Sequence, residues 1–300
     1  MRAVRFEQYG GPEVLEIADV EEPHPGPGRI RIRVHAAGVN AADWKVRSGR
    51  MARGPLEAPR GTGMDAAGVV DELGEGVTDV AVGDRVFGSG TATVAELAVL
   101  ADWAVLPDHV PFEEGAAAPV PVETAVRVLH EVGAREGDTL AIAGAAGGVG
   151  TALIQIARAR GLIVIGTASA ANQEYVEALG ALATTYDDGW PDRVRALAVA
   201  EVDCAADLAG KGAVPDLIAL TGDATRVVSI ADAGAAELGA RTSFRVLDKP
   251  AALREAAALM ADGRLRMIVE QTYPLEQTPE AQRVSEAGHV RGRAVIEVAR

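Results

Sequence analysis

The run Gly144-Ala145-Ala146-Gly147-Gly148-Val149-Gly150 constrains this chain more than any other segment. It follows directly on a short apolar stretch, Thr139–Ala143 (TLAIA), and opens an amphipathic segment, Val149–Arg160. The apolar stretch reads as a buried parallel strand and the amphipathic segment as a helix. Glycines at the junction permit a tight turn and let the backbone approach a ligand closely. The start of the helix offers unpaired N–H groups and the positive end of its dipole. A pyrophosphate meets those conditions, and strand, Gly-rich turn and helix in this order form the context in which such a run binds a dinucleotide.

The alternation continues downstream. Strands are expected at Leu162–Thr167, Thr184–Tyr186, Val202–Ala205 and Arg226–Ile230, with helices at Asn172–Leu179, Pro191–Ala198 and Ala213–Leu220 between them. That order predicts an α/β fold with a doubly wound parallel sheet. The first third of the chain differs. Arg29–Ala36 (RIRIRVHA) alternates charged and apolar residues, as a half-buried strand does, and Ala67–Glu72, Arg85–Gly88 and Ala95–Leu100 read as further short strands. Helices are expected at Phe112–Ala118 and Val122–Val132, and the chain closes with a helix at Ala251–Ala261 and strands at Met267–Tyr273 and Ala294–Val298.

Charge and cysteine content narrow the function classes. A net charge of −14 supplies no basic stripe for nucleic acid or an anionic membrane. Cys204 is the only cysteine, which rules out an intrachain disulfide and a four-thiolate zinc lobe. The N-terminus has no apolar signal core, and no run approaches the length of a membrane span, so a cytoplasmic protein is expected.

Cofactor choice rests on the end of the second strand, where a carboxylate would grip a ribose 2′-hydroxyl and repel a 2′-phosphate. This chain has Thr167-Ala168-Ser169-Ala170-Ala171-Asn172 instead. Ser169 and Asn172 can hydrogen-bond a phosphate, which favours NADP(H). The alternative is that Ser169 starts the next turn and Asn172 caps the following helix.

Nearly the whole chain resembles the zinc-independent quinone oxidoreductase branch of the medium-chain dehydrogenase/reductase superfamily. The matching segments are Gly38–Lys45 (GVNAADWK), Gly63–Val70 (GMDAAGVV), Val82–Val86 (VGDRV), Gly144–Gly150 and Gly288–Arg293 (GHVRGR), in family order. The resemblance implies a β-rich, GroES-like catalytic domain from residues 1–119 and 262–300, a Rossmann domain at 120–261, and a homodimer. Zinc-dependent relatives carry a ligand Cys where this chain has Asn40, and a His-Glu pair where it has Met64-Asp65, so no metal is expected.

Carried over position by position, the resemblance puts Asn40 near the nicotinamide and the substrate carbonyl, where its amide would polarise oxygen. A loop-capping role is the alternative. Asp43 either orients its neighbours and fixes the loop or takes part in the chemistry. Lys45 is a candidate donor or a solvated surface residue. Thr124 matches a position beside the nicotinamide, and Tyr186 one that reaches the adenosine 2′-phosphate. Arg293 could also reach a phosphate; the alternative is an arginine on an edge strand that needs no ligand. Departures from the pattern are Leu97 in place of a common Tyr, a short loop at Ser89–Thr93, and Ala171 where many relatives carry a basic residue.

Without a Lewis acid, a quinone or α,β-unsaturated carbonyl is the easier hydride acceptor, because its negative charge delocalises. The resulting expectation is an NADPH-dependent quinone, enone or enoyl reductase. The alternatives are an NADP(H)-binding redox sensor and a retooled biosynthetic protein with non-redox chemistry.

Overall fold

The computed structural model describes residues 1–52, 54–243, 246–288 and 290–298. His289, within the C-terminal matching segment, lies outside the described residues. The chain forms two compact units, Met1–Val120 with Lys249–Arg300, and Pro121–Asp248.

Along the first stretch run β1 (Arg2–Phe6), β2 (Glu16–Asp19), β3 (Ile30–Gly38), α1 (Ala41–Arg47), β4 (Arg60–Gly61), β5 (Asp65–Leu73), β6 (Arg85–Gly90), β7 (Leu97–Val105) and α2 (Phe112–Ala116). The intervening unit holds most of α3 (Pro119–Glu131), then β8 (Thr139–Ala143), α4 (Gly148–Ala159), β9 (Ile163–Ala168), α5 (Gln173–Ala178), β10 (Leu182–Thr185), α6 (Trp190–Leu197), β11 (Cys204–Asp207), α7 (Val214–Thr221), β12 (Val227–Ser229) and β13 (Arg241–Thr242). The chain then adds α8 (Lys249–Ala261), β14 (Val269–Pro274), α9 (Thr278–Ala287) and β15 (Arg293–Glu297) to the first unit.

In the first unit a six-stranded sheet runs β14-β15-β3-β5-β6-β7, and β3 also pairs with β7, which closes the sheet on itself. The alternation in Ile30–Gly38 accounts for the interior: Ile30, Ile32 and Val34 are fully buried, whereas Arg33 between them is exposed. Phe6, Leu100 and Ile296 fill the same core. This is the expected β-rich, GroES-like unit.

In the second unit six parallel strands run β10-β9-β8-β11-β12-β13. In chain order that is third, second, first, fourth, fifth, sixth, the doubly wound Rossmann arrangement, with its switch point between β8 and β11. Every residue of β8 is buried, as its unbroken apolar run requires. Cys204 is buried in β11, and burial pushes its thiol up to about 12.

The compact units divide at 120/121 and 248/249 rather than at 119/120 and 261/262. Leu253, Ala256 and Met260 form a buried stripe on α8, and this helix packs beside β7. Sequence periodicity locates such a helix but not the unit it packs into.

Candidate functional sites in the two units

In the second unit, three successive strand ends lie side by side along one sheet edge. β8 leads into the Gly-rich turn, β9 into Ser169 and β10 into Tyr186, with Thr167 paired to Ala143 and Ala168 paired to Thr185. Gly144 has φ +88°, a left-handed value that favours glycine. A Cβ on Gly150 would lie 2.2 Å from the Ala145 carbonyl oxygen, so the first turn of α4 packs against the loop that precedes it. Gly147 is the N-cap of α4 and supplies no side-chain cap. Among the described residues, only the Gly144 oxygen, at 3.9 Å, comes near the space its Cβ would fill. Gly147, Gly148 and Val149 thus present bare backbone at a helix start, a cradle that fits a pyrophosphate.

Ser169 and Asn172 occupy N-cap positions of short helical segments, yet neither side chain makes a capping hydrogen bond. Capping therefore does not account for the two polar side chains. Sequence reasoning missed two residues that shape this edge. Gln173 Nε2 donates to the carbonyls of Ala168 (2.9 Å), Ser169 (3.0 Å) and Thr184 (3.2 Å), stitching the ends of β9 and β10 together. Arg193 donates to the carbonyls of Thr185 (3.2 Å) and Asp187 (3.0 Å), fixing the backbone on both sides of Tyr186. Tyr186 itself is 60% exposed. The strand expected at Thr184–Tyr186 ends at Thr185, which places Tyr186 beyond the edge rather than within the sheet.

Thr124 lies in α3, inside a buried polar group. Arg127 pairs with Glu123 at 2.9 Å, reaches the Ser243 hydroxyl, and donates to Thr124 Oγ1 at 3.4 Å. The Thr124 hydroxyl is thereby held as an acceptor, with its own proton left to donate.

The first unit holds a second, different cluster. Asn40 follows β3 and caps α1. The end of β3 lies between β5 and β15, with Gly38 paired to Asp65 on one side and Val295 on the other. Asp65 and Arg293 therefore flank Asn40. Asn40 Nδ2 donates to Asp65 Oδ2 at 2.9 Å, and Arg293 Nη2 donates to Asn40 Oδ1 at 2.8 Å. The Asn40 backbone N–H donates to Asp43 Oδ2 at 2.7 Å, one half of a capping box. Asp65 also accepts from the Val120 N–H at 3.1 Å and the Ser89 hydroxyl at 3.4 Å, and lies 3.5 Å from Arg293 Nη2.

Asn40, Asp43, Asp65 and Arg293 are all buried. Two carboxylates face one guanidinium, so full ionisation would leave an unmatched negative charge in a dry site. Burial accordingly raises both carboxyls. Asp43 rises to about 7, pushed further by Asp65 and opposed by the Asn40 N–H and by Arg293. Asp65 also rises, against the pull of Arg293 and its hydrogen bonds. The economical state of the cluster holds one proton.

Of the two readings of Arg293, the structure favours the one without a phosphate. Its guanidinium is buried and its Nη2 is committed to Asn40 and Asp65 rather than to a phosphate, while Nε has no hydrogen-bond partner among the described residues. An arginine that neutralises a buried carboxylate holds the site together rather than reaching for ligand. Asp65, the hub of the cluster, was noted only as a replaced zinc-ligand position. Its signal was a carboxylate opening an otherwise apolar strand. Lys45 is half-buried, with Nζ 5.6 Å from the Trp44 ring centroid, and is not part of the cluster.

A closed β-rich unit and a 3-2-1-4-5-6 parallel unit with a bare-backbone helix start define a medium-chain dehydrogenase/reductase. The alcohol dehydrogenase GroES-like domain family matches residues 26–109, and the zinc-binding dehydrogenase family matches residues 179–296. Human quinone oxidoreductase is 32% identical over 305 aligned positions, covering 94% of this chain and 92% of the human protein. This chain belongs to the quinone oxidoreductase branch of that superfamily. Rat quinone oxidoreductase is 45% identical, but that match spans 56% of the chain and about half (53%) of the rat protein. Among solved structures, an NAD-dependent alcohol dehydrogenase superposes with a TM-score of 0.87 at 31% identity, covering 100% of both chains. A mycobacterial protein complexed with NADPH superposes with a TM-score of 0.85 at 27% identity, covering 99% of this chain and 100% of its own. Similarity of fold thus extends to users of both nicotinamide cofactors.

Proposed function

We propose that this chain is an NADPH-dependent reductase of quinones or α,β-unsaturated carbonyls that works without zinc. The observation that carries the reading is the state of the Asn40 amide. Its oxygen is taken by Arg293 and one N–H by Asp65, which leaves the second N–H, unpaired among the described residues, as an oriented donor. A donor fixed in advance stabilises negative charge as it develops on a substrate oxygen, at no reorganisation cost. A conjugated acceptor asks for little more, because much of the charge is delocalised. Asn40 and Met64 replace ligand-type residues, and this is the basis for the zinc-free assignment.

The cofactor when bound supplies the hydride. Gly147, Gly148 and Val149 would hold its pyrophosphate, and Ser169, Asn172 and Tyr186 its 2′-phosphate. Thr124 would meet the nicotinamide. The preference for NADPH rests on the absence of a carboxylate at Ser169–Asn172. Lys45, outside the Asn40 cluster, is the weakest of the proposed catalytic residues.

The test is loss of NADPH absorbance in the purified protein against a panel of quinones and enones, with NADH in parallel. Acceptor-dependent oxidation that favours NADPH is the expected result. NADPH binding without turnover would turn the reading towards a cofactor sensor or non-redox chemistry.

A further inference from the structure

Within the first unit, a recess of ≈340 Å³ opens beside α1, lined by Asp43, Arg60, Thr62, Met64, Thr91 and Ala92 among others. Its size falls at the lower end of the range for small-molecule sites. The lining mixes apolar surface with a few polar groups, as such sites do. Ala92 is the only non-glycine residue at positive φ (58°) among the described residues, a strained backbone on the rim. Asp43 is 4% exposed, and among the described residues the only hydrogen bond of its carboxyl group is the one that Oδ2 accepts from the Asn40 N–H. Its other oxygen, Oδ1, has no partner among the described residues, and Asp43 is the one buried carboxylate in the lining.

We infer that this recess takes the carbonyl end of the electron acceptor and that Asp43 is the acid that protonates it. This rests on the reductase reading above. As hydride forms a new C–H bond at the conjugated carbon, the π electrons move to the carbonyl oxygen. The Asp43 O–H bond then breaks and its proton passes to that oxygen, giving the enol from an enone and, from a quinone, the keto tautomer of the hydroquinone, which becomes aromatic as the ring carbon gives one C–H proton to water and the second oxygen takes one from water. The acceptor gains two electrons and NADPH, the reductant, loses two. Asp43 is left as a carboxylate, held by the Asn40 N–H, and regains a proton from water through the recess.

The charges that face Asp43 suit this cycle. Asp65 on β5 disfavours its ionisation, and Arg293 on β15 limits that effect. Arg60 of β4 lines the recess. From α9, Glu286 is paired with Arg47 at 2.7 Å, and Lys45 on α1 lies against Trp44.

The experiment is steady-state reduction of 2-cyclohexen-1-one and of 1,4-naphthoquinone by NADPH with the full chain, its Asp43→Asn and its Thr91→Trp variants. Wild-type kcat is expected to fall as pH rises through about 7, the value at which Asp43 loses its proton. Asp43→Asn should lower kcat by about 100-fold, in the range of general-acid catalysis, remove that pH limb, and leave NADPH Kd unchanged. Thr91→Trp, which fills the recess from its exposed rim, should raise acceptor KM about tenfold with NADPH Kd unchanged, a loss of about 1.4 kcal/mol. A wild-type kcat that is flat in pH, or an Asp43→Asn variant that keeps the wild-type limb, overturns the acid role. An unchanged KM in Thr91→Trp overturns the recess. If Asp43→Asn fails to fold, the wild-type pH limb and Thr91→Trp decide between them. Wild-type protein that binds NADPH but reduces neither acceptor refutes the reductase reading itself, and the inference falls with it.

Discussion

The two sites are built on opposite principles. The edge of the parallel sheet leaves its polar groups open: a helix start with no cap, Ser169 and Asn172 with no capping bond, and Tyr186 in solvent. The Asn40 cluster closes most of its polar groups on one another in a buried site; among the described residues an Asn40 N–H, an Asp43 carboxylate oxygen and Arg293 Nε are left over. An open edge selects a ligand by offering partners that only the ligand supplies. A closed cluster fixes the direction of the little it leaves free. Damage to the first should therefore appear in binding, and damage to the second in stability and turnover.

The largest expected effect is on the closed side. Arg293→Ala leaves Asp43 and Asp65 buried without their cation and should cost about 3–5 kcal/mol of unfolding free energy, as broken buried pairs do. A urea midpoint close to wild type would show that the cluster is wetter than its geometry implies. On the open side, Gly147→Val should raise NADPH Kd by about 100-fold, roughly 2.7 kcal/mol, with thermal stability unchanged, because the new side chain enters space that the protein leaves empty. Retained tight binding in a titration would remove the phosphates from this turn. Asn40→Ala should cut kcat about tenfold or more and leave NADPH Kd near wild type. A large fall in NADPH affinity would erase the division between the two sites.

A pH experiment sharpens the contrast. Burial holds the Asp43 carboxyl at about 7 against an ordinary 3.8. The folded chain binds this proton more tightly than the unfolded chain, so the contribution to stability is greatest below the ordinary value. It declines as pH climbs towards about 7 and is level above it. Asp43→Asn should flatten the decline between about pH 5 and pH 7, which urea midpoints across that window will show. The smallest effect should come from Ser169→Asp. It restores a carboxylate at the end of β9 and should shift the NADPH-to-NADH preference several-fold towards NADH, read from paired Kd values.

The same division governs what the sequence discloses. Sites made from contiguous backbone are legible, because glycine and apolar periodicity are local signals. Thr139–Ala143 is a strand over the residues expected, and the helix after it begins one residue before Val149. The Asn40 cluster joins residues 40, 43, 65 and 293 through strand pairing, and no local pattern records which strands will pair. Resemblance located Asn40 and Asp43, but the role of Arg293 and the importance of Asp65 emerged only from the register. Short elements escaped for a related reason. α1 is seven residues long and α9 is mostly polar, although Pro279 near its start and Gly288 after its end are helix punctuation. β1 (RAVRF) and β2 (EIAD) interrupt their few apolar residues with charges and so show no apolar run.

Arg293 and Asn40 are 253 residues apart in the chain. During synthesis, Asn40 and Asp65 leave the ribosome early, while the strand that carries Arg293 follows only after the whole parallel-sheet unit. The inserted unit is contiguous and can fold while the sequence that completes the first unit is still being translated. Until β15 adds beside β3, two carboxylates lack the cation that makes their burial affordable, and the first unit has an unpaired strand edge. Chain order thus allows the nucleotide-binding unit to fold before the first unit is complete, and the Asn40 donor can be aligned only once β15 has been made.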